Sequence, residues 1–215
     1  MTKIYQDLYQ FTDILEPIKL SMHQYLLLTE EPILIQTGSS RQAQKTLPQI
    51  KQLLNGKTPK YILISHFESD ECGGLSLVLQ EYPDITAVCS ETTARQLTGF
   101  NITQNIEIKK PGEKFSGKDF NFKIISYPSE MHMWEGLLFM EANRNIFFSS
   151  DLMFEMGETH GKIIKKTWSD TVKFSGADHL PSLDMQNKLI NDLKTLDPKF
   201  VASGHGPCIN IIREL

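Results

Sequence analysis

Four times in this chain a short apolar run passes directly into a loop of histidine or acidic residues: YILI into SHFESDECGG, FKIISYP into SEMHMWEG, NIFF into SSDLM, and KFVAS into GHGP. Runs of this length, rich in β-branched and aromatic residues, read as strands. Strand ends fix the backbone, and the loops beyond them supply functional groups that a rigid scaffold can aim into one cleft. The chain must therefore fold so that several strand ends converge.

The remaining pattern says how. Residues 23–37, HQYLLLTEEPILIQT, read as two short strands joined by a polar turn, and RQAQKTLPQIKQLLNG has helical periodicity ended by Gly56. A strand is expected from Lys60 to Ser65, then a helix over GGLSLVLQEY, a strand at ITAVCS, a short helix at ETTARQLTGF and a strand at IEIKK. FNFKIISYP, EGLLFMEA and NIFFSS read as a further group of strands. SLDMQNKLINDLKTL is the last long helix, and KFVASGHG the last strand. Segment 155–166, EMGETHGKIIKK, reads as a solvated loop. Without an internal repeat or a Gly, Ser or Pro-rich linker, the expectation is one α/β domain over residues 1–215, with two sheets packed together and helices outside.

The first polar loop holds His66, Glu68, Asp70 and Glu71 within six residues, closed by Gly73 and Gly74. One imidazole and three carboxylates so close repel one another unless a divalent cation neutralises them. Any single strand-end His or Asp is commonly a cap or turn residue. Taken together, His66, Glu68, Asp70, Glu71, His132, Asp151 and His205 suffice for two metals sharing a bridging carboxylate. The donor set is nitrogen and oxygen without thiolate, which favours iron or manganese while leaving zinc open.

Composition narrows the partners. With 40% hydrophobic and 22% charged residues the chain is an ordinary globular protein, and a formal net charge of −4 gives nucleic acid no basic surface to meet. The apolar run YLLL is too short to span a bilayer, and MTKIYQDLYQ lacks the layout of a signal peptide, so a cytoplasmic location away from membranes is expected. Cys72, Cys89 and Cys208 are an odd count without paired spacing, so no disulfide framework is expected. Cys72 and Cys208 are either ligands or redox-sensitive thiols by position, or, as the commoner case, buried small side chains. His23 and His179 have no partner visible in sequence, and His160, nine residues beyond Asp151, either borders the cleft or, as the commoner case, faces solvent; all three are left out of the site. Met131, Met133, Met153 and Met156 flank the ligand loops as gap-fillers, and Phe67 and Trp134 either shield a bound gas or pack the core.

The order and spacing of these motifs resemble the metallo-β-lactamase superfamily, whose first motif is usually HxHxDH followed by two glycines, with a later His, an Asp and a terminal His. Glu68 at the second ligand position resembles instead its diiron branch, the flavodiiron proteins and the related stand-alone oxygen-binding diiron domain, with HxExDH. FFSSD resembles the strand carrying the bridging Asp, and Trp134 and GHGP echo the same group. The resemblance covers about residues 23–207 and implies an αββα sandwich of two mixed sheets. It implies that His66, Glu68 and His132 bind one iron, that Asp151 bridges, and that Asp70 and His205 bind the second. Glu71 stands where that pattern has His. It either gives a carboxylate to the second metal or turns away and leaves the position to water.

The implied function is a non-haem diiron protein that binds dioxygen or nitric oxide, for sensing or for reduction with an external electron donor. The chain ends at Leu215, soon after His205, so no flavin is expected in it. An external redox or signalling protein is the expected partner, and a homodimer is among the expected states. The alternative is a dinuclear metallohydrolase acting on an ester, thioester or lactone through a metal-bound hydroxide oriented by Asp70; a third reading is a scaffold that has lost its catalytic competence.

Overall fold

A computed structural model of the protein describes residues 1–128 and 135–213. Two mixed sheets face one another. The first runs in chain order, β1 (Thr2–Tyr5), β2 (Leu8–Leu15), β3 (Leu20–Leu27), β4 (Ile33–Ile35), β5 (Tyr61–Leu63), β6 (Thr86–Cys89) and β7 (Ile106–Ile108), antiparallel from β1 to β4 and parallel from β4 to β7. The switch follows from the connections. Tight turns join the antiparallel strands, whereas the parallel ones are joined through α1 (Ser40–Leu54), then α2 (Ser69–Cys72) with α3 (Leu75–Glu81), then α4 (Glu91–Gly99).

The second sheet is built from β8 (Lys114–Ser116), β9 (Asn121–Pro128), β10 (Glu135–Glu141), β11 (Ile146–Ser150), β12 (Ile163–Thr167), β13 (Phe200–Ser203) and β14 (Cys208–Ile212), in the order β12-β14-β13-β11-β10-β9-β8. Its outer face carries α5 (Trp168–Lys173) and α6 (Leu183–Lys194), which pack with Leu138, Phe147 and Val201.

Side-chain alternation explains why the strands read as unbroken apolar runs. Leu63, Leu137, Phe139, Phe148, Phe200 and Ala202 point into the layer between the sheets, while Ile62 and Ile64 meet the helices on one side and Leu138, Phe147 and Val201 those on the other. Strands buried on both faces leave no polar positions. Aromatic rings fill the inner layer, with Phe122 edge-on to Phe139 at 6.4 Å between centroids and Tyr5 stacked on Phe200 at 4.4 Å. The αββα sandwich is the architecture expected from the sequence.

Two local differences have physical causes. Helix α1 ends on Asn55, which takes the left-handed conformation one residue before the glycine expected to stop it; Asn tolerates that conformation because its short polar side chain bonds locally. Residues 155–166 are not all loop, because Ile163–Thr167 form β12, an edge strand pairing in parallel with β14. Lys165, exposed, and the adjacent Lys166 give this edge strand charge and no apolar alternation, and this hid it in the sequence.

Candidate metal centre

The chemistry gathers where β5 of one sheet and β11 and β13 of the other end. His66 follows β5, Asp151 follows β11, and His205 follows β13. Two glycines permit the approach. A Cβ on Gly136 would stand 2.6 Å from the Tyr127 carbonyl oxygen and 3.3 Å from the His66 Cβ, and one on Gly204 would stand 2.7 Å from the Ser150 carbonyl oxygen. Backbone bonds close the gaps: Leu137 N–H donates to Ser65 O at 2.7 Å across the sheets, and Gly204 N–H to Ser150 O at 2.9 Å.

Asp151 lies between the two imidazoles. Its Oδ2 is 3.3 Å from His66 Nε2 and its Oδ1 is 3.3 Å from His205 Nε2. Around His66 also stand Glu68 Oε1 at 3.7 Å and Glu71 Oε2 at 3.8 Å, while Asp70 Oδ2 is 3.3 Å from His205 Nε2. The short helix α2 explains how one segment serves both imidazoles. Glu68 sits at its N-cap without capping it, and the successive residues Asp70 and Glu71 bring their carboxylates within reach of His205 and His66 respectively. Ligand atoms thus form two clusters, one of His66, Glu71 and Asp151 and one of Asp70, Glu71 and His205.

Each histidine presents Nε2 because its other nitrogen is engaged. His205 Nδ1–H donates to Ser21 O at 3.1 Å, and His66 Nδ1 meets Ser65 Oγ at 3.0 Å. Ser65 Oγ in turn accepts from Ser150 Oγ at 2.8 Å and from Gln36 Nε2 at 3.3 Å. Such partners orient metal-binding imidazoles and raise their basicity. Gln36 and Ser150 both adopt left-handed backbone, φ 61° and 49°, a strained state for non-glycine residues of the kind that gathers at functional sites. A small cavity lined by Gln36, Ser65 and Ser150, with Phe139 and Phe148 opposite, adjoins them.

Electrostatics of the protein without metal follow from this crowding. Burial alone would lower the His66 imidazole, but Asp151 and Glu68 raise it to about 9. Burial likewise opposes a charge on His205, and Asp151 and Asp70 raise it to about 10. Against its own burial, Asp151 is held well below the ordinary carboxylate range by His205 and His66. Glu71 goes the other way: burial, then the charges of Asp151 and Asp70, push it well above.

His66 Nε2, Glu71 Oε2 and Asp151 Oδ1 are buried yet have no hydrogen-bond partner of good geometry. Leaving such groups unsatisfied is costly, and a cation satisfies all of them together. Nitrogen and carboxylate donors in two clusters with Asp151 between them fit a pair of divalent ions.

Of the residues expected from sequence, His66, Glu68, Asp70, Glu71, Asp151 and His205 come together here. His132 lies outside the described residues, as do Met131, Met133 and Trp134. Neither cysteine in question behaves as a ligand. Cys208 is buried among Gln10, Tyr25 and β13, and Cys72 donates to Glu68 O, its thiol pushed by burial to about 12. Met153 fills the outer core of the second sheet, and Phe67 packs on Phe100 at 5.4 Å. His160 is exposed beside Thr2.

Sequence reasoning left His23 out, and the structure gives it a supporting place. It is buried, its Nδ1 meets Thr12 Oγ1 at 2.8 Å, its Nε2–H donates to Gly206 O at 2.9 Å, and its backbone N–H donates to Gly204 O at 2.9 Å. It thereby holds the loop that carries His205. Partners so distant in sequence leave no local signal.

A family model described as ODP family beta lactamase matches residues 20–206. The chain belongs to this family. The ODP family domain is the metallo-β-lactamase-like domain of flavodiiron proteins. The putative diflavin flavoprotein A 2 of Nostoc sp. is 25% identical over 198 residues, a match covering 87% of this chain and 33% of that protein. The flavo-diiron protein FprA2 of Clostridium acetobutylicum is 22% identical over 203 residues, covering 88% and 49%. Among solved structures, rubredoxin oxygen:oxidoreductase of Desulfovibrio gigas superposes with a TM-score of 0.81 at 18% identity, over 97% of this ODP family chain and 57% of that one. The chain therefore spans between a third and somewhat over half of these proteins.

Proposed function

We propose that this protein is a non-haem diiron protein that binds dioxygen or nitric oxide, either to sense it or to reduce it with electrons from an external redox protein, and that it works in the cytoplasm. The observation that carries the reading is Asp151, with one carboxylate oxygen 3.3 Å from each of the two buried imidazoles. A carboxylate so placed is suited to bridge two ions.

In this reading His66 and Glu68, joined by His132, hold one iron, Asp70 and His205 hold the other, and Asp151 serves both. When bound, the iron pair supplies two electrons to a small diatomic ligand. The protein's own residues set the conditions. Ser65 and the Ser21 carbonyl keep the Nε2 lone pairs of His66 and His205 turned inward. Tyr127, edge-on to His66 at 5.8 Å between centroids, walls the ligands on the buried side, and Phe154, half-exposed, lies 5.5 Å from His205. Three carboxylates, Glu68, Asp70 and Asp151, among these ligands favour the oxidised metals. No helix among the described residues is long and apolar enough to cross a membrane.

The test is rapid mixing of the anaerobically iron-loaded protein with dioxygen, followed optically. Reaction within seconds that depends on two irons per chain is expected. A reversible adduct assigns sensing, and conversion to diferric protein assigns reduction. Inertness toward both gases, with ester or lactone hydrolysis by the zinc-loaded protein, would overturn the proposal.

A further inference from the structure

Glu71 is the acidic residue of this site that the assignment above leaves without a task. Its side chain is 1% exposed, and Oε2 lacks a hydrogen-bond partner although it is aimed among the ligands, 3.8 Å from His66 Nε2. It belongs to both ligand clusters, with His66 and Asp151 in one and with Asp70 and His205 in the other. It stands 3.8 Å from the His66 imidazole, and its second cluster joins it to His205.

The backbone and the neighbouring side chain keep it there. Thr37 N–H donates to Glu71 O at 2.8 Å, and Thr37 Oγ1 donates to the same oxygen at 3.3 Å, which anchors α2 to the segment after β4. Gln36 Nε2 approaches Glu71 Oε1 at 3.5 Å, so one carboxylate oxygen is held and the other is left for the centre. The same amide reaches Ser65 and Ser150, which precede the ligands His66 and Asp151. Gln36 adopts strained backbone to do so, with φ 61°.

We propose that Glu71 is a second carboxylate shared by both metal positions, alongside Asp151, and that Gln36 is the positioning residue that holds it in that role. The inference rests on the two-metal reading above and adds to it. A shared anion at this position brings the carboxylates at the centre to four, Glu68, Asp70, Glu71 and Asp151, whose charges balance two divalent ions. Electron loss from the metals is eased by the added negative charge, so replacing Glu71 with a neutral group raises the reduction potential of the pair.

Stepwise binding of Mn2+, followed by the paramagnetic resonance of free ion, and of Fe2+ under anaerobic competition with a chromophoric chelator, tests this on the full chain. Wild-type protein takes two ions. Glu71→Gln, which keeps the side-chain shape, weakens both binding steps by about tenfold or more, as Asp151→Asn does, whereas Glu68→Gln and Asp70→Asn each weaken chiefly one. Gln36→Ala leaves every ligand in place and weakens both steps by a smaller factor; no change in either would remove Gln36 from the account. Circular dichroism and thermal unfolding of the metal-free variants check that each is folded. If Glu71→Gln weakens a single step or neither while wild type binds two ions, the shared role is wrong and the two-metal reading stands. If wild type binds fewer than two ions, that reading falls and this inference with it.

Discussion

Two glutamates in this molecule are equally buried and chemically opposite. Glu141, 0% exposed, closes the turn after β10: its Oε1 accepts from the backbone N–H groups of Asn121 at 2.9 Å and Asn143 at 3.3 Å, and its Oε2 from Arg144 N–H at 2.7 Å. The Arg144 guanidinium lies 3.8 Å away and also binds Asp7 at 2.8 Å. Glu71, 1% exposed, faces Asp70, Asp151 and His66 with an oxygen that accepts nothing. A buried carboxylate met by N–H groups is structure. One met by other carboxylates is a place for a cation.

The largest effect expected from this contrast is on folding. Glu141→Ala strips the partner from three backbone N–H groups and removes one of the carboxylates around Arg144, and should cost about 3–5 kcal/mol in urea unfolding. Glu71→Gln should do the reverse in metal-free protein. A carboxyl whose folded pKa is raised contributes stability below its unfolded pKa and loses it as pH rises, so at neutral pH Glu71 is a liability that the amide removes. Equal destabilisation by both variants would erase the distinction.

His23 extends the comparison to a satisfied imidazole. Burial, against the bond to Gly206, lowers it to about 4 from 6.5, so the folded protein resists its protonation. The contribution of His23 should be constant above pH 6.5 and fall by about 3 kcal/mol on the way to pH 4, because over that range the unfolded chain binds a proton that the folded protein refuses. Urea midpoints against pH measure this. The slope should flatten in His23→Gln, and an unchanged slope would place its origin elsewhere.

His66 and His205 titrate the other way. Raised to about 9 and about 10 by their carboxylates, they are protonated at neutral pH in metal-free protein, and an incoming ion must displace those protons. Affinity for Mn2+ should therefore climb between pH 6 and 9, by about tenfold per pH unit for each proton released. Calorimetry in buffers of different ionisation enthalpy counts the protons, and a pH-independent affinity would contradict the assignment. The smallest effect is expected at Ser65→Ala, which removes the oxygen beside His66 Nδ1 and should weaken metal binding by about tenfold or less without unfolding the chain.

Much of this was legible in the sequence for a physical reason. Strands buried on both faces become apolar runs, and loops at their ends carry the candidate ligands, so YILI, NIFF and KFVAS announced both the sheets and the positions of His66, Asp151 and His205. The opening hairpin of β1 and β2 was not legible, because TKIYQDLYQFTDIL mixes polar and apolar residues along an edge of the sheet. Nor were the supporting residues. His23 and Gln36 act on groups far away in sequence, and Gly136 matters through an approach between two sheets that no local pattern records. Glu71 was visible as a candidate ligand, and its membership of both clusters required coordinates.

The central claim is that the unsatisfied cluster around Asp151 holds two irons. Metal analysis of protein purified without oxygen, joined to its Mössbauer spectrum, tests that most directly. Two irons per chain are expected, with magnetically coupled sites when oxidised, and with loss of that pair in Asp151→Asn. A single ion, or two zinc ions, per chain would contradict it.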